Sequence, residues 1–168
     1  MKKIITVGLV ALCLSTAAFA EHPNNFGIGV AGGGSYGGAF GGSAALSFKI
    51  PDVDVFWGVN IGGFGSKTLA VGVSGDYYLL DRYFKLQSSI VDIGYFIGLG
   101  GYGTIGIGDI FILNAGLRAP IGVTFQFFDN LLELFLDVAP SIGMKILPIK
   151  QFGLDWGVGF EGGLRLWF

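Results

Sequence analysis

Apolar residues alternate with small or charged residues along the last part of the chain, from Leu154 to Phe168. Leucine, tryptophan, valine and phenylalanine fill the even-numbered positions, with Gly162 as the exception. Glycine and charged residues fill the odd-numbered positions, with Trp167 as the exception. Because successive side chains of a β-strand point to opposite faces, this pattern predicts a strand with one apolar face.

The same alternation recurs along the chain after Pro23. We predict eight strands at about 25–34, 39–49, 53–63, 68–79, 90–101, 112–126, 131–143 and 154–168. Glycine, proline, serine, aspartate and asparagine separate them, as expected for turns. Most are close to the roughly 9 to 11 residues that a tilted strand needs to cross a bilayer. Residues 80–89 are interpreted as a longer connection and 101–109 as a glycine-rich loop, and we expect local irregularities at Pro120 and Pro140.

The composition indicates what surrounds these strands. Hydrophobic residues make up 52% of the chain, the mean hydropathy is +0.66, and no apolar run is long enough for a helical membrane span. A water-soluble domain of this size has too little interior for so much apolar side chain. Only helices and closed barrels satisfy their backbone in lipid, so we predict an all-β, eight-stranded antiparallel up-and-down transmembrane β-barrel. An even strand number places both termini on one side, which we expect to be periplasmic.

The first twenty residues have the pattern of a secretory signal peptide. Lys2 and Lys3 precede an apolar core, and Ala18 and Ala20 form a small-x-small cleavage site. We therefore predict a cleaved signal over 1–20 and a barrel over 21–168. The sole cysteine, Cys13, leaves with the signal, so the mature chain has no disulfide framework.

The end of the chain carries a finer pattern of polar, glycine, apolar and aromatic residues. These are Glu161, Gly163, Leu166 and the terminal Phe168. The pattern resembles the C-terminal signal by which bacterial outer-membrane barrels are recognised for insertion. The resemblance implies that barrel-assembly machinery binds this strand.

The whole mature chain resembles the small eight-stranded outer-membrane barrels of the OmpA, OmpX and OmpW type, and the resemblance is clearest in residues 116–123 and 132–140. Within that class the chain is most similar to short-looped spirochaetal members. The resemblance implies a porin-like, monomeric barrel in the outer membrane of a Gram-negative-type envelope, with lipid as its partner. The mature chain has 8 basic and 12 acidic residues, a charge of −4, which gives no reason to expect nucleic-acid binding.

Charged residues fall mainly on the face that we predict to be inward. The inward set is Lys49, Asp54, Asp76, Asp92, Arg118, Glu133, Asp137, Asp155, Glu161 and Arg165. A charged side chain in a narrow lumen is shielded from lipid but has little room for water around it, so it should be paired with an opposite charge. Glu133 and Asp137 lie between the strands that carry Arg118 and Arg165, and we expect a ladder of internal salt bridges with a structural role. A relay or ion path is the functional alternative.

Enzyme chemistry has no support in the sequence, and we predict no catalytic, cofactor-binding or metal-binding residues. The only histidine, His22, lies beside the predicted mature N-terminus and is interpreted as a solvated terminal residue. Glycine patterns of the dinucleotide-binding type occur at Gly27, Gly29 and Gly32 and at Gly98, Gly100 and Gly103, but neither opens a predicted helix.

The sequence thus predicts an outer-membrane barrel with a structural or surface role and a mostly plugged lumen. One alternative is a narrow channel or carrier for small molecules, including apolar ones. Another is a secreted soluble barrel that binds a ligand inside. A soluble barrel should place polar residues outside, whereas here the branched aliphatic face opposes the glycine, serine and charged face.

Overall fold

The computed structural model describes residues 22–37, 42–64, 68–84, 90–109, 111–148 and 152–168. All the regular structure in these residues is β-strand, and none of them forms a helix long and apolar enough to cross a membrane. The strands are β1 (Gly27–Gly37), β2 (Gly42–Lys49), β3 (Val55–Phe64), β4 (Thr68–Phe84), β5 (Val91–Gly108), β6 (Ile112–Arg118), β7 (Ile121–Phe127), β8 (Leu132–Leu147) and β9 (Gly153–Trp167). The predicted cleavage residues Ala18 and Ala20 lie outside the described residues.

The strands close into a single ring in which every pairing is antiparallel. β1 pairs with β2 and with β9, and β4 pairs with β3 and with β5. β6 and β7 both pair with β5 on one side and with β8 on the other, so they share one position in the ring. The nine strands therefore fill eight positions, which confirms the predicted eight-stranded antiparallel barrel.

The break between β6 and β7 lies at Pro120, as expected, because proline has no N–H to donate to the ladder. The register continues across the break, with Arg118 opposite Ser141 and Ile121 opposite Val138. The carbonyl of Pro120 accepts a hydrogen bond from Gly98 N at 2.8 Å. β8 runs through Pro140 in unbroken register with β9, but on its other side Pro140 lies opposite the break between β6 and β7, where its carbonyl accepts a hydrogen bond from Ala119 N at 2.9 Å, so the expected irregularity is confirmed on that side.

Two predicted connections are wrong where the structure describes them, because β4 continues to Phe84 and β5 to Gly108; residues 85–89 lie outside the described residues. A register shift between Tyr78 and Leu80 moves the alternation by one residue, which hides the second half of β4 from a period-two pattern. The glycine-rich pattern of residues 101–109 predicts a loop, but residues 101–108 belong to β5, and Ile105 and Ile107 continue its outward face.

The two faces of the barrel confirm the predicted alternation. Outward aliphatic side chains are exposed, including Val73, Leu117 and Leu136 at 56%, 58% and 57%. Inward residues such as Phe96 and Glu133 are buried. We call the end of the lumen that carries residues 22–26 and Phe168 the terminal end, and the opposite end the far end.

Candidate functional site in the barrel lumen

The residues just before β1 turn into the lumen at the terminal end and bury His22 to 8% exposure. The backbone N–H of His22 donates to Asp81 Oδ2 at 2.8 Å. Its Nδ1 lies 2.7 Å from Asp81 Oδ1, and its Nε2 lies 2.9 Å from Glu133 Oε1. The prediction of a solvated histidine is therefore wrong, since the ring is held between two carboxylates.

This geometry fits a protonated imidazole ring. A neutral imidazole carries one N–H, whereas both nitrogens of His22 face carboxylate oxygens. Burial by itself disfavours the charged form, but the charge of Glu133 and the hydrogen bonds that the ring donates to Asp81 and Glu133 outweigh it and raise the pKa of His22 above its usual value. The contacts of both ring nitrogens and the raised pKa favour the imidazolium form of His22.

Glu133 is the centre of this arrangement and is fully buried. Its Oε2 accepts hydrogen bonds from Arg165 Nη1 at 2.8 Å and Trp167 Nε1 at 2.9 Å. Its Oε1 accepts a hydrogen bond from Thr124 Oγ1 at 3.0 Å, in addition to the contact with His22. One carboxylate thus binds two cations and two neutral donors, and these contacts offset part of the desolvation free energy of burying its charge.

Tyr83 completes the polar lining beside His22. Its hydroxyl lies 2.6 Å from His22 Nε2, accepts a hydrogen bond from Gln126 Nε2 at 3.0 Å and donates to Thr124 Oγ1 at 3.3 Å. We call His22, Asp81, Tyr83, Glu133 and Arg165 the terminal plug. The plug joins residues of β4, β8 and β9 to the segment that precedes β1.

A layer of aromatic rings crosses the lumen next to the plug. Tyr78 stacks on Phe56 and on Phe96, with ring centroids 4.2 and 4.4 Å apart. The Arg165 guanidinium lies 4.7 Å from the Phe56 ring centroid, a distance typical of a cation–π contact. Rings and ion pairs together fill this section of the barrel.

A second charged group lies on the far side of the aromatic layer, and we call it the Arg118 cluster. Arg118 Nε is 3.3 Å from Asp76 Oδ1, and Nη2 is 3.8 Å from both Asp137 Oδ1 and Glu161 Oε2. Three carboxylates therefore surround one guanidinium at looser distances than in the terminal plug.

Open space remains on both sides of the aromatic layer. A cavity of about 310 Å³ lies at the terminal end, which we call the mouth cavity, and Lys49, Asp54, Asp81 and Arg82 are among its lining residues. A cavity of about 80 Å³ lies toward the far end and is lined by Arg118 and several serines. The interior is thus filled most completely between the two cavities.

The structure separates the predicted inward charges into several groups rather than one ladder. Glu133 and Arg165 lie in the terminal plug, and Asp76, Arg118, Asp137 and Glu161 form the Arg118 cluster. The remaining four lie elsewhere. Lys49 donates to Asn24 Oδ1 at 3.3 Å, and Asp155 is 3.9 Å from Lys145 Nζ. Asp92 is opposite Gln126 in the β5–β7 ladder, and Asp54 is exposed at the terminal end, where it lines the mouth cavity.

The residues of the C-terminal pattern divide between the two faces of β9. Glu161 reaches the Arg118 cluster, and Gly163 lies opposite Phe135 of β8. Leu166 and Phe168 are exposed on the outward face. No group of three or more histidine, cysteine, aspartate or glutamate residues in the described part of the chain has the geometry to hold a metal ion.

A closed antiparallel sheet with an apolar outer face and a polar interior defines the class of this protein as a β-barrel. The chain belongs to the family described as "Protein of unknown function (DUF3996)", whose sequence profile matches residues 31–168. A comparison with curated proteins found no match. Among solved structures the chain is similar to the crystal structure of neisserial surface protein A (NspA), with 17% sequence identity, a TM-score of 0.48, and coverage of 87% of this chain and 98% of that chain.

Proposed function

We propose that this protein is an integral, monomeric outer-membrane β-barrel with a structural or surface role, both termini in the periplasm and a plugged lumen. The observation that carries the proposal is the apolar outer face. Leu79, Val30 and Leu117 are 66%, 60% and 58% exposed, and similar side chains cover every strand. Contiguous apolar patches of more than a few hundred Å² are rare on soluble monomers, whereas lipid is a favourable environment for such a belt.

Aromatic side chains at both ends of the barrel support a membrane position. Tyr36 and Trp156 are 73% and 65% exposed near the far end, with ring centroids 6.4 Å apart. Phe128 and Phe168 are 61% and 68% exposed at the terminal end. Transmembrane barrels carry such aromatic girdles where lipid meets water.

The contents of the lumen favour a plugged barrel over a channel. A conducting path would have to pass the terminal plug, where Glu133 and Arg165 are 0% and 2% exposed. The outward apolar face in turn argues against a secreted soluble barrel, which would turn that face inward. Assembly through the C-terminal strand fits its position in the ring, since β9 forms the closing seam with β1.

Electrophoretic mobility in SDS, with and without boiling, tests the membrane barrel on protein extracted from fractionated outer membranes. We expect a compact unboiled band that shifts on heating and is confined to that fraction. Soluble protein without a heat-dependent shift would refute the outer-membrane proposal. Planar-bilayer recordings of the folded species test the plug separately, and stable single-channel conductance would favour the narrow-channel alternative.

A further inference from the structure

The pocket that holds the His22 ring is shaped for a flat cation. The ring lies edge-on to Phe56 and to Tyr83, with centroids 5.0 and 4.9 Å apart and interplanar angles of 70° and 76°. Carboxylates face both ring nitrogens, at 2.7 Å for Asp81 and 2.9 Å for Glu133. Aromatic walls with charged acceptors in the ring plane are features of sites for planar organic cations.

Two of the side chains that wall this pocket, Glu133 and Tyr83, are held in place by other strand residues as well as by His22. Glu133 is positioned by Arg165 and Trp167, and Tyr83 is positioned by Gln126. Both therefore keep hydrogen-bond partners if the ring leaves. The site is thus built from strand residues, and His22 is the only member supplied by the preceding segment.

The charges beside the pocket favour a cation inside it. Arg165 lies 2.8 Å from Glu133, and the Asp81 carboxylate lies 2.7 Å from the His22 ring. Lys49, Asp54 and Arg82 border the mouth cavity beside it.

A ligand has a route to the pocket, because His22 and Asp81 also line the mouth cavity of about 310 Å³. The segment that carries His22 is attached at the rim, where Asn24 Nδ2 donates to Asp52 Oδ1 at 2.9 Å. The ring can therefore leave its pocket toward the mouth cavity without breaking a strand.

We propose that Asp81, Tyr83 and Glu133 form a binding site for a planar organic cation of the imidazolium or guanidinium class, and that His22 is its tethered occupant. This inference goes beyond the plugged barrel proposed above, because it gives the terminal end a specific ligand chemistry. A free cation of the same class binds the site when His22 is removed.

The direct test uses His22→Ala, purified without a histidine tag and folded in detergent. Saturating imidazole at constant ionic strength should raise its unfolding temperature by roughly 5 °C or more, while the wild type, whose site is filled, should not respond. Pyrazole has the same ring size but is uncharged near neutral pH, and it should have no effect. Adding Asp81→Asn to His22→Ala should abolish the response. Equal shifts in the wild type and the variant, equal shifts with both compounds, or no shift would overturn the proposal.

A second measurement does not depend on the variant folding. His22 is the only histidine of the chain, so labelling histidine with ¹⁵N gives a single imidazole signal in the wild type. Both ring nitrogens should be protonated and slow to exchange at neutral pH. A signal that titrates like free histidine would show that the ring is not held in the site.

Discussion

Replacing Glu133 with glutamine should be among the most destabilising single changes in this barrel. The substitution keeps the size of the side chain but removes the charge that lies 2.8 Å from Arg165 Nη1 and 2.9 Å from His22 Nε2. Both cations remain buried, with Arg165 at 2% exposure. Only His22 can respond by losing its proton.

The magnitude follows from the cost of an uncompensated buried charge. Removing one partner of a buried ion pair typically costs about 3 to 5 kcal/mol. The oxygen of the new amide can still accept from Arg165 and Trp167, and its NH2 group can donate to Thr124 Oγ1, so the lost charge accounts for most of the cost. We therefore expect Glu133→Gln to lower the free energy of unfolding by about 4 kcal/mol, a large part of the roughly 5 to 15 kcal/mol typical of folded proteins.

Urea titration of the detergent-folded protein, followed by tryptophan fluorescence and by mobility in unheated gels, measures this loss. Asp54→Asn is the matched control, because it removes a carboxylate that is exposed at the same end of the barrel, and it should change stability by less than about 0.5 kcal/mol. The double variant Glu133→Gln, Arg165→Met should lose less than the sum of the two single variants. A loss below about 1 kcal/mol for Glu133→Gln would refute the argument that this carboxylate holds the plug together.

Three further predictions test the terminal plug, the packing inside the barrel and the lipid-facing surface. The pKa of His22 is raised in the folded protein, so its contribution to stability should be complete below about pH 6.5 and should disappear as the pH rises through the pKa of the folded state. The free energy of unfolding, measured across this pH range, should show this dependence in the wild type but not in His22→Ala. Gly122→Ala would push a Cβ into the Phe96 ring and should cost about 1 to 3 kcal/mol in urea titrations, whereas Gly103→Ala, with nothing within 4 Å, should be nearly neutral. Leu136→Lys, on the outward face, should cost about 2 to 4 kcal/mol on folding into lipid vesicles, and an unchanged folded fraction would contradict the lipid-facing assignment.

The fold was predictable because two independent signals coincide in most strands. Period-two alternation marks the strand, and the contrast between aliphatic and glycine-rich faces marks which side is outward, as in residues 154–168. The period-two pattern failed to predict the strand where one extra residue shifts the alternation of inward and outward side chains. The register shift between Tyr78 and Leu80 places Asp81 and Tyr83 inward in a segment whose pattern predicts a connection.

The plug was only partly predictable, for a different reason. Glu133 and Arg165 lie on strands with clear alternation, so their inward direction could be read from the sequence. His22 precedes the first strand and has no periodic neighbours to show where it points. Its partners Asp81 and Glu133 are 59 and 111 residues away in the sequence, so only ring closure brings them together.

The same ring closure explains why the plug forms at the terminal end. Arg165 on β9 extends past β1 to donate to Ser47 Oγ on β2 at 2.9 Å. It passes β1 where that strand has Gly27, whose added Cβ would lie 2.9 Å from Arg165 Cδ. The hydrophobic effect contributes little to closing a barrel whose apolar face is already in contact with lipid. We therefore expect the contact of Arg165 with β2 to give the pairing of β1 with β9 much of its specificity. Gly27→Val should impair barrel closure more than Gly153→Val, because a Cβ at Gly153 would have nothing within 4 Å. The measurement is the fraction of protein that runs as a compact band without heating.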